Sequence, residues 1–258
     1  MDMPANAFKA AIQQGRAQIG LWVTIPGSDN AEAMAGCGFD WLLIDTEHST
    51  VSLDTVKSML QAIASYPVSA AVRPGWNDPV EIKRILDAGA QTILVPYVQN
   101  AEEAARAVSA VRYPPAGMRG VAGITRATRY GLVAGYTARA DSQICLLVQV
   151  ESAEALANIE AIAAVDGVDG IFIGPADLAA SMGHPGNPSA PEVKAAILDG
   201  IARIRRAGKP AGILTLDPDF LKEAVAAGSV FTAVDVDQAI LLRGARALAR
   251  QWKGQSTT

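Results

Sequence analysis

Asp45, Glu47 and His48 follow the apolar run 41–44, and Gln149 and Glu151 follow the apolar run 144–148. Each run has the length and composition of a parallel strand buried on both faces. A strand that stops in ionisable or amide groups delivers them to the sheet edge where α/β folds build their sites. Other strand ends add Trp22 and Thr24, Arg73, Asp177, Leu214 and Thr215. The carboxylates Glu151 and Asp177 close adjacent strands, and two like charges there are unfavourable unless a cation or a proton lies between them. An oxygen-only pair with open positions suits Mg²⁺ or Mn²⁺ and also accommodates Co²⁺ or Ni²⁺. The competing explanation is that both acids complement the dipoles of the helices that follow.

His48 beside Asp45 and Glu47 has the setting of a general base near neutral pH, the imidazole held in one tautomer by an acid; the alternative is a surface histidine. The guanidinium of Arg73 can clamp a carboxylate or stabilise a developing oxyanion, or it can simply pair with a neighbouring acid such as Glu47. Gln149 can donate to a substrate oxygen or orient Glu151. Asp87 stands in the last turn of a helix, where an acid opposes the dipole, so either a partner or solvent must compensate it. His184, in Gly183-His184-Pro185-Gly186, reads as a loop residue. The lysines (Lys9, Lys57, Lys83, Lys194, Lys209, Lys222 and Lys253) fall in helices, in the tail or before a strand. None follows a strand's carboxyl end, so Schiff-base chemistry has no evident nucleophile, and carbanion chemistry would need a metal.

These groups need a scaffold that gathers strand ends. Eight strand-like segments are predicted at 18–23, 41–44, 68–72, 92–95, 144–148, 170–173, 211–214 and 230–234. Helical patterns lie at 29–35, 53–64, 79–88, 101–111, 152–164, 191–206, 218–227 and 238–252. Glycine follows the helical segments before most strands, as at Gly36, Gly89, Gly167, Gly208 and Gly228, and marks a helix end. Eight β/α repeats in one chain of this length predict a closed (β/α)8 TIM barrel of class α/β, residues 1–258 forming a single domain. A doubly wound sheet is the other architecture, but no GxGxxG follows the first strand. Segment 113–139, rich in proline and glycine, has no place in the eight units and reads as a loop after the fourth strand that covers the catalytic face.

The chain has 258 residues, half of them hydrophobic, and a net charge of −4 with acids and bases interspersed. That gives no footprint for nucleic acid or an anionic membrane and favours a small-molecule ligand. No apolar stretch reaches the roughly 18 residues of a membrane span, and residues 1–10 lack an export pattern, so a cytoplasmic location is expected. Cys37 and Cys145 lack metal-binding spacing and read as buried structural thiols.

With these residues placed, the chain resembles the HpcH/HpaI aldolases, metal-dependent class II pyruvate aldolases, from about Gly20 to Trp252. The resemblance rests on Gly38-Phe39-Asp40-Trp41-Leu42-Leu43-Ile44-Asp45, Glu47-His48, Arg73-Pro74, Trp76-Asn77-Asp78-Pro79, Gln91-Thr92, Arg112-Tyr113-Pro114-Pro115, Val148-Gln149-Val150-Glu151 and residues 170–178. It implies reversible cleavage of 4-hydroxy-2-oxo acids to pyruvate, or hydroxypyruvate, and an aldehyde; 4-hydroxy-2-oxoheptanedioate, giving succinic semialdehyde, is one example. It further implies that Glu151 and Asp177 hold the divalent ion, His48 is the base, and Arg73 stabilises the enolate. Gln149 and the backbone at Ala176 would contact pyruvate, with Asp45, Trp22 and Leu214 at the same mouth. Asp87 matches an acid that reaches the histidine of a neighbouring subunit. The family's homohexamers, trimers paired back to back, exchange their last helix, here 238–252. Thr46, Ser49, Gly120-Val121-Ala122-Gly123 and Asp235 depart from the usual pattern and bear on the aldehyde preference. A citryl-CoA-lyase-like reaction, with Arg126 and Arg129 as the basic surface for CoA phosphates, and a non-catalytic binding barrel are the rival functions.

Overall fold

Alternation along the strands explains the architecture. In the segment Trp41-Leu42-Leu43-Ile44-Asp45, Trp41 and Leu43 belong to one apolar cluster and Leu42 and Ile44 to another. A strand buried on both faces supplies both. The computed structural model describes residues 1–254 and contains eight parallel strands closed in the order β1 to β8. They are β1 Gln18–Val23, β2 Trp41–Asp45, β3 Ser69–Arg73, β4 Thr92–Val95, β5 Cys145–Val150, β6 Gly170–Ile173, β7 Ala211–Leu214 and β8 Ser229–Val236. The helices are α1 Ala7–Gln13, α2 Ser28–Ala35, α3 Leu53–Ile63, α4 Pro79–Asp87, α5 Ala101–Val111, α6 Tyr136–Arg139, α7 Ala153–Ala157, α8 Ile159–Ala163, α9 Pro175–Ser181, α10 Pro191–Arg206, α11 Pro218–Ala226 and α12 Asp237–Gly254. The (β/α)8 barrel is the one the repeats predict.

Its interior is packed by Trp22, Trp41, Leu43, Leu94, Leu147, Phe172 and Phe231, with Phe8 and Ile12 of α1 joining the same cluster. Phe8 meets Trp41 at 5.5 Å and Phe231 at 5.9 Å between ring centroids. Helix α1, which the repeat pattern did not predict, thus seals the amino-terminal end of the barrel. A methyl group on Gly212 would lie 2.1 Å from the Phe231 ring, so only glycine admits that ring. The second cluster fills the space between strands and helices, where Val56, Ile82, Ala104, Ile159, Ile197 and Ala224 meet the outward residues of the strands. Helix starts are capped as the residue types dictate: Ser52, Asp78, Asn100, Ser152 and Asp217 accept first-turn amides.

Three expectations are corrected. Segment 113–139 does not cover the catalytic face, because α5 stands between it and β4 and the chain has already crossed to the amino-terminal face. There Arg126 donates to the carbonyls of Leu60 and Ala88, at the carboxyl ends of α3 and α4, and the Ala127 amide bonds to the Asp87 carbonyl. Arg126 is therefore away from any CoA bound at the catalytic mouth of its own barrel. Cys37 is exposed in the turn after α2, whereas Cys145 is buried in the barrel interior as expected. The helical stretch 152–164 is two short helices broken at Asn158, whose amide side chain donates to the Gln99 carbonyl.

Helix α12 leaves the barrel with residues 240–253 exposed, including Leu241, Leu242, Leu248 and Trp252. Among the described residues no helix is long and apolar enough to cross a membrane.

Candidate active site

The inward parity that packs the barrel runs on into charge at the carboxyl-terminal mouth. Asp45 continues the Trp41, Leu43 series, and Arg73 continues from Ala71 on the neighbouring strand. The two stand in register. Gln149 follows Cys145 and Leu147, and Glu151 comes one residue after β5 ends. The apolar floor is Trp22, which packs on Phe172 with centroids 5.3 Å apart and lies 5.3 Å below the Arg73 guanidinium. Trp22 is thus a buried support under Arg73, and Leu214 is half-buried against the same cluster.

Arg73 is gripped from two sides. Its Nε and Nη2 donate to Asp45 Oδ1 and Oδ2 at 2.8 and 2.7 Å. Its Nη1 stands 2.7 Å from Glu47 Oε2, off the line of a hydrogen bond, so that oxygen is buried and still lacks a donor. Burial works against the charge on Arg73, but Asp45, Glu47 and Glu151 outweigh it and raise its pKa. Burial likewise raises the Glu47 carboxyl, with Asp45 and Asp177 adding to the shift while Arg73 and His48 oppose it. The pairing expected of Arg73 is present, and two of its nitrogens serve to fix its plane.

Glu151 is closed from solvent. Its Oε1 accepts the Tyr97 amide at 2.8 Å and its Oε2 accepts Gln149 Nε2. Burial pushes its pKa up to about 7 despite these two donors, and Glu47 and Asp177 push it further the same way. Gln149 therefore orients Glu151, while its own Oε1 is buried without a partner. Gly174 makes the room: a methyl group there would lie 2.4 Å from Glu151 Oε2 and 2.8 Å from Gln149 Nε2. Three residues on, Asp177 is exposed in the first turn of α9, whose first helical bond runs from the Leu178 amide to the Gly174 carbonyl. The Ala176 amide thus precedes the helical ladder and faces no intrahelical acceptor.

These features fit a divalent cation. A buried carboxyl that is costly to ionise, a second acid whose field adds to the cost, and an orphaned amide oxygen beside them form an oxygen-rich cradle. Among the described residues no group of three or more histidine, cysteine or acidic side chains is arranged to hold a metal, so Glu151 and Asp177 would leave most positions to substrate and water.

His48 lies just beyond β2, with 65% of its side chain exposed and Nε2 3.9 Å from Glu47 Oε2. Asp45 spends its oxygens on Arg73 and on the Glu47 amide rather than on the imidazole. Asp87 is not at this mouth. It sits at the far end of α4, paired at 3.2 Å with the fully buried Arg119, which answers the dipole problem within the chain. His184 is in a loop, 4.0 Å from Glu192. Tyr97 is the residue the sequence alone did not single out for the site. The position of Tyr97, two residues past the end of β4, is the signal that marks it.

Comparison with known proteins gives this barrel its class, a carbon–carbon lyase of the aldolase type. The family model for HpcH/HpaI aldolase/citrate lyase matches residues 18–243, and the chain belongs to that family. It is 59% identical over 252 residues to the hydroxypyruvate/pyruvate aldolase of Sagittula stellata, covering 98% of this chain and 100% of the relative. It is 56% identical over 254 residues to the 4-hydroxy-2-oxo-heptane-1,7-dioate aldolase of Klebsiella pneumoniae, with 98% and 96% covered. A crystal structure of an HpcH/HpaI aldolase/citrate lyase family protein from Burkholderia cenocepacia superposes with a TM-score of 0.92 at 38% identity, covering 96% of this chain and 100% of that one.

Proposed function

We propose that this protein, acting as one barrel domain, reversibly cleaves 4-hydroxy-2-oxo acids to an aldehyde and pyruvate or hydroxypyruvate, with Mg²⁺ or Mn²⁺ held by Glu151 and Asp177. The observation that carries the reading is the pairing of a rigid guanidinium, Arg73 clamped by Asp45, with a buried carboxyl whose ionisation calls for a cation. The aldolase relatives support the substrate class, and a requirement for a divalent metal is general in the family. When bound, the cation supplies positive charge for the carboxylate and keto oxygen of a 2-oxo acid.

The chain's own groups do the rest. Arg73 Nη1 makes no hydrogen bond, although it stands 2.7 Å from Glu47 Oε2, and it is the nitrogen left to meet the oxygen on which charge develops as the C3–C4 bond breaks. His48 takes the proton of the 4-hydroxyl, directly or through water, and in the reverse direction removes one from C3. Gln149 holds Glu151 in place, and the Ala176 amide, which has no intrahelical acceptor, would donate to the substrate carboxylate. Trp22 keeps water from the underside of Arg73.

Asp87 and His48 lie at opposite ends of the barrel, so the acid expected to orient the imidazole must come from a second copy. The apolar residues that α12 leaves exposed support a homo-oligomer, proposed as a hexamer in which α12 packs on a neighbour. The test is pyruvate release from a panel of 4-hydroxy-2-oxo acids by isolated protein. EDTA should abolish release and Mg²⁺ or Mn²⁺ restore it; activity untouched by EDTA would remove the metal from the mechanism.

A further inference from the structure

Tyr97 adopts a left-handed backbone, φ 53°, which non-glycine residues with large side chains seldom do. Arg129 and Tyr130 share this conformation but lie in segment 113–139 on the other face. The unusual turn at Tyr97 aims its N–H at Glu151 Oε1. The next amide, Val98, donates to the Gln149 carbonyl at 3.0 Å, so two consecutive donors of the β4 exit are spent on the end of β5. The Tyr97 ring stacks on Trp76 from the β3 exit, centroids 5.7 Å apart and planes 27° from parallel. Trp76 is itself on an anchored loop: Gly75 donates to Glu81 and Asn77 to the Glu103 carbonyl. Both residues are exposed, 55% and 40%, and neither joins a core cluster, so the stack adds little to the core.

We infer that the Trp76–Tyr97 stack is a positioning device: it holds Tyr97 in its left-handed conformation and thereby keeps a backbone donor on the carboxylate that grips the cation. The inference rests on the reading of Glu151 as a cation ligand. Without the stack, the Tyr97 backbone is free to relax to negative φ, the N–H swings away, and Glu151 Oε1 loses its donor. Partners that orient metal ligands in this way set affinity as well as geometry.

Mn²⁺ titration of the isolated full-length protein, read by the electron paramagnetic resonance of free Mn²⁺, tests this directly. Trp76→Ala and Tyr97→Ala should each weaken Mn²⁺ binding about tenfold or more, the range found for residues that support metal ligands. Both should melt like the wild type in the absence of Mn²⁺, since neither side chain belongs to a core cluster. Tyr97→Phe, which keeps the ring, should bind as the wild type does. Wild-type affinity in both alanine variants, or equal losses in Tyr97→Phe and Tyr97→Ala, overturns the role of the stack. Glu151→Gln is the separate control: if it binds Mn²⁺ as tightly as the wild type, the ligand assignment fails and the positioning role falls with it.

Discussion

Asp45 and Arg73 sit side by side on adjacent strands and are joined by two parallel bonds of 2.8 and 2.7 Å, with 1% and 7% of their side chains exposed. This pairing fixes the guanidinium plane before any substrate arrives, so a donor on Arg73, in the role proposed for it, needs no reorganisation. Removing one member of such a buried pair strands the other. Asp45→Ala should cost about 3–5 kcal/mol of stability, read as a lowered urea midpoint, together with most of the activity.

Arg73→Ala removes the proposed oxyanion donor, and loss of such a donor in other enzymes costs about 10²–10³ in kcat, roughly 2.7–4 kcal/mol. It also leaves Asp45 and Glu47 unpaired, so the variant should melt lower than the wild type. Steady-state kinetics and calorimetry on the same preparation check both effects, and unchanged kcat would remove Arg73 from the chemistry.

Glu151 makes the metal-free protein sensitive to pH. Burial first, then the fields of Glu47 and Asp177, raise its folded pKa from 4.5 to about 7, so the native state holds a proton that the unfolded chain releases. Its contribution to stability is full below about pH 4.5 and is lost as pH rises through 7, about 3 kcal/mol in all at 1.36 kcal/mol per unit. A cation held by Glu151, as proposed, would compensate the ionised form, so Mn²⁺ should raise the melting temperature more at pH 8 than at pH 5.5. An equal rise at both would contradict the linkage.

Gly174→Ala drives a methyl group against Glu151 Oε2 and Gln149 Nε2. Overpacking of this kind costs about 1–3 kcal/mol, and the displaced carboxylate should lose at least tenfold in Mn²⁺ affinity. Isothermal titration with Mn²⁺ measures it; an affinity equal to wild type would show that Glu151 needs no such cradle.

The proposed oligomerisation should be separable from folding. Leu241→Glu with Leu248→Glu on α12 should lower the mass measured by light scattering without disturbing the barrel's circular dichroism, since both residues are exposed in the single chain. If Asp87 serves a neighbour's His48, then His48→Ala and Asp87→Asn, each about 10²-fold impaired, should recover activity when co-expressed. No recovery in mixed oligomers would count against a shared site.

The strand repeats and their polar ends were legible from the chain because a buried parallel strand must be apolar along its length, and a break in that pattern marks where it meets solvent. Asp45, Arg73, Gln149 and Glu151 were placed at one mouth on that basis, and the barrel brings them there. Which of the partnerships open to these groups is made was not legible, since that depends on register between neighbouring strands. Only the fold decided that Asp45 serves Arg73 and not His48, that Gln149 serves Glu151, and that Tyr97 lends it a backbone donor. Segment 113–139 was misplaced because proline and glycine announce a loop without saying at which end of the barrel it lies. That depends on whether a strand or a helix precedes it in space. Local pattern, in short, specified which residues emerge from the strands; long-range packing, which no spacing encodes, specified what each of them touches.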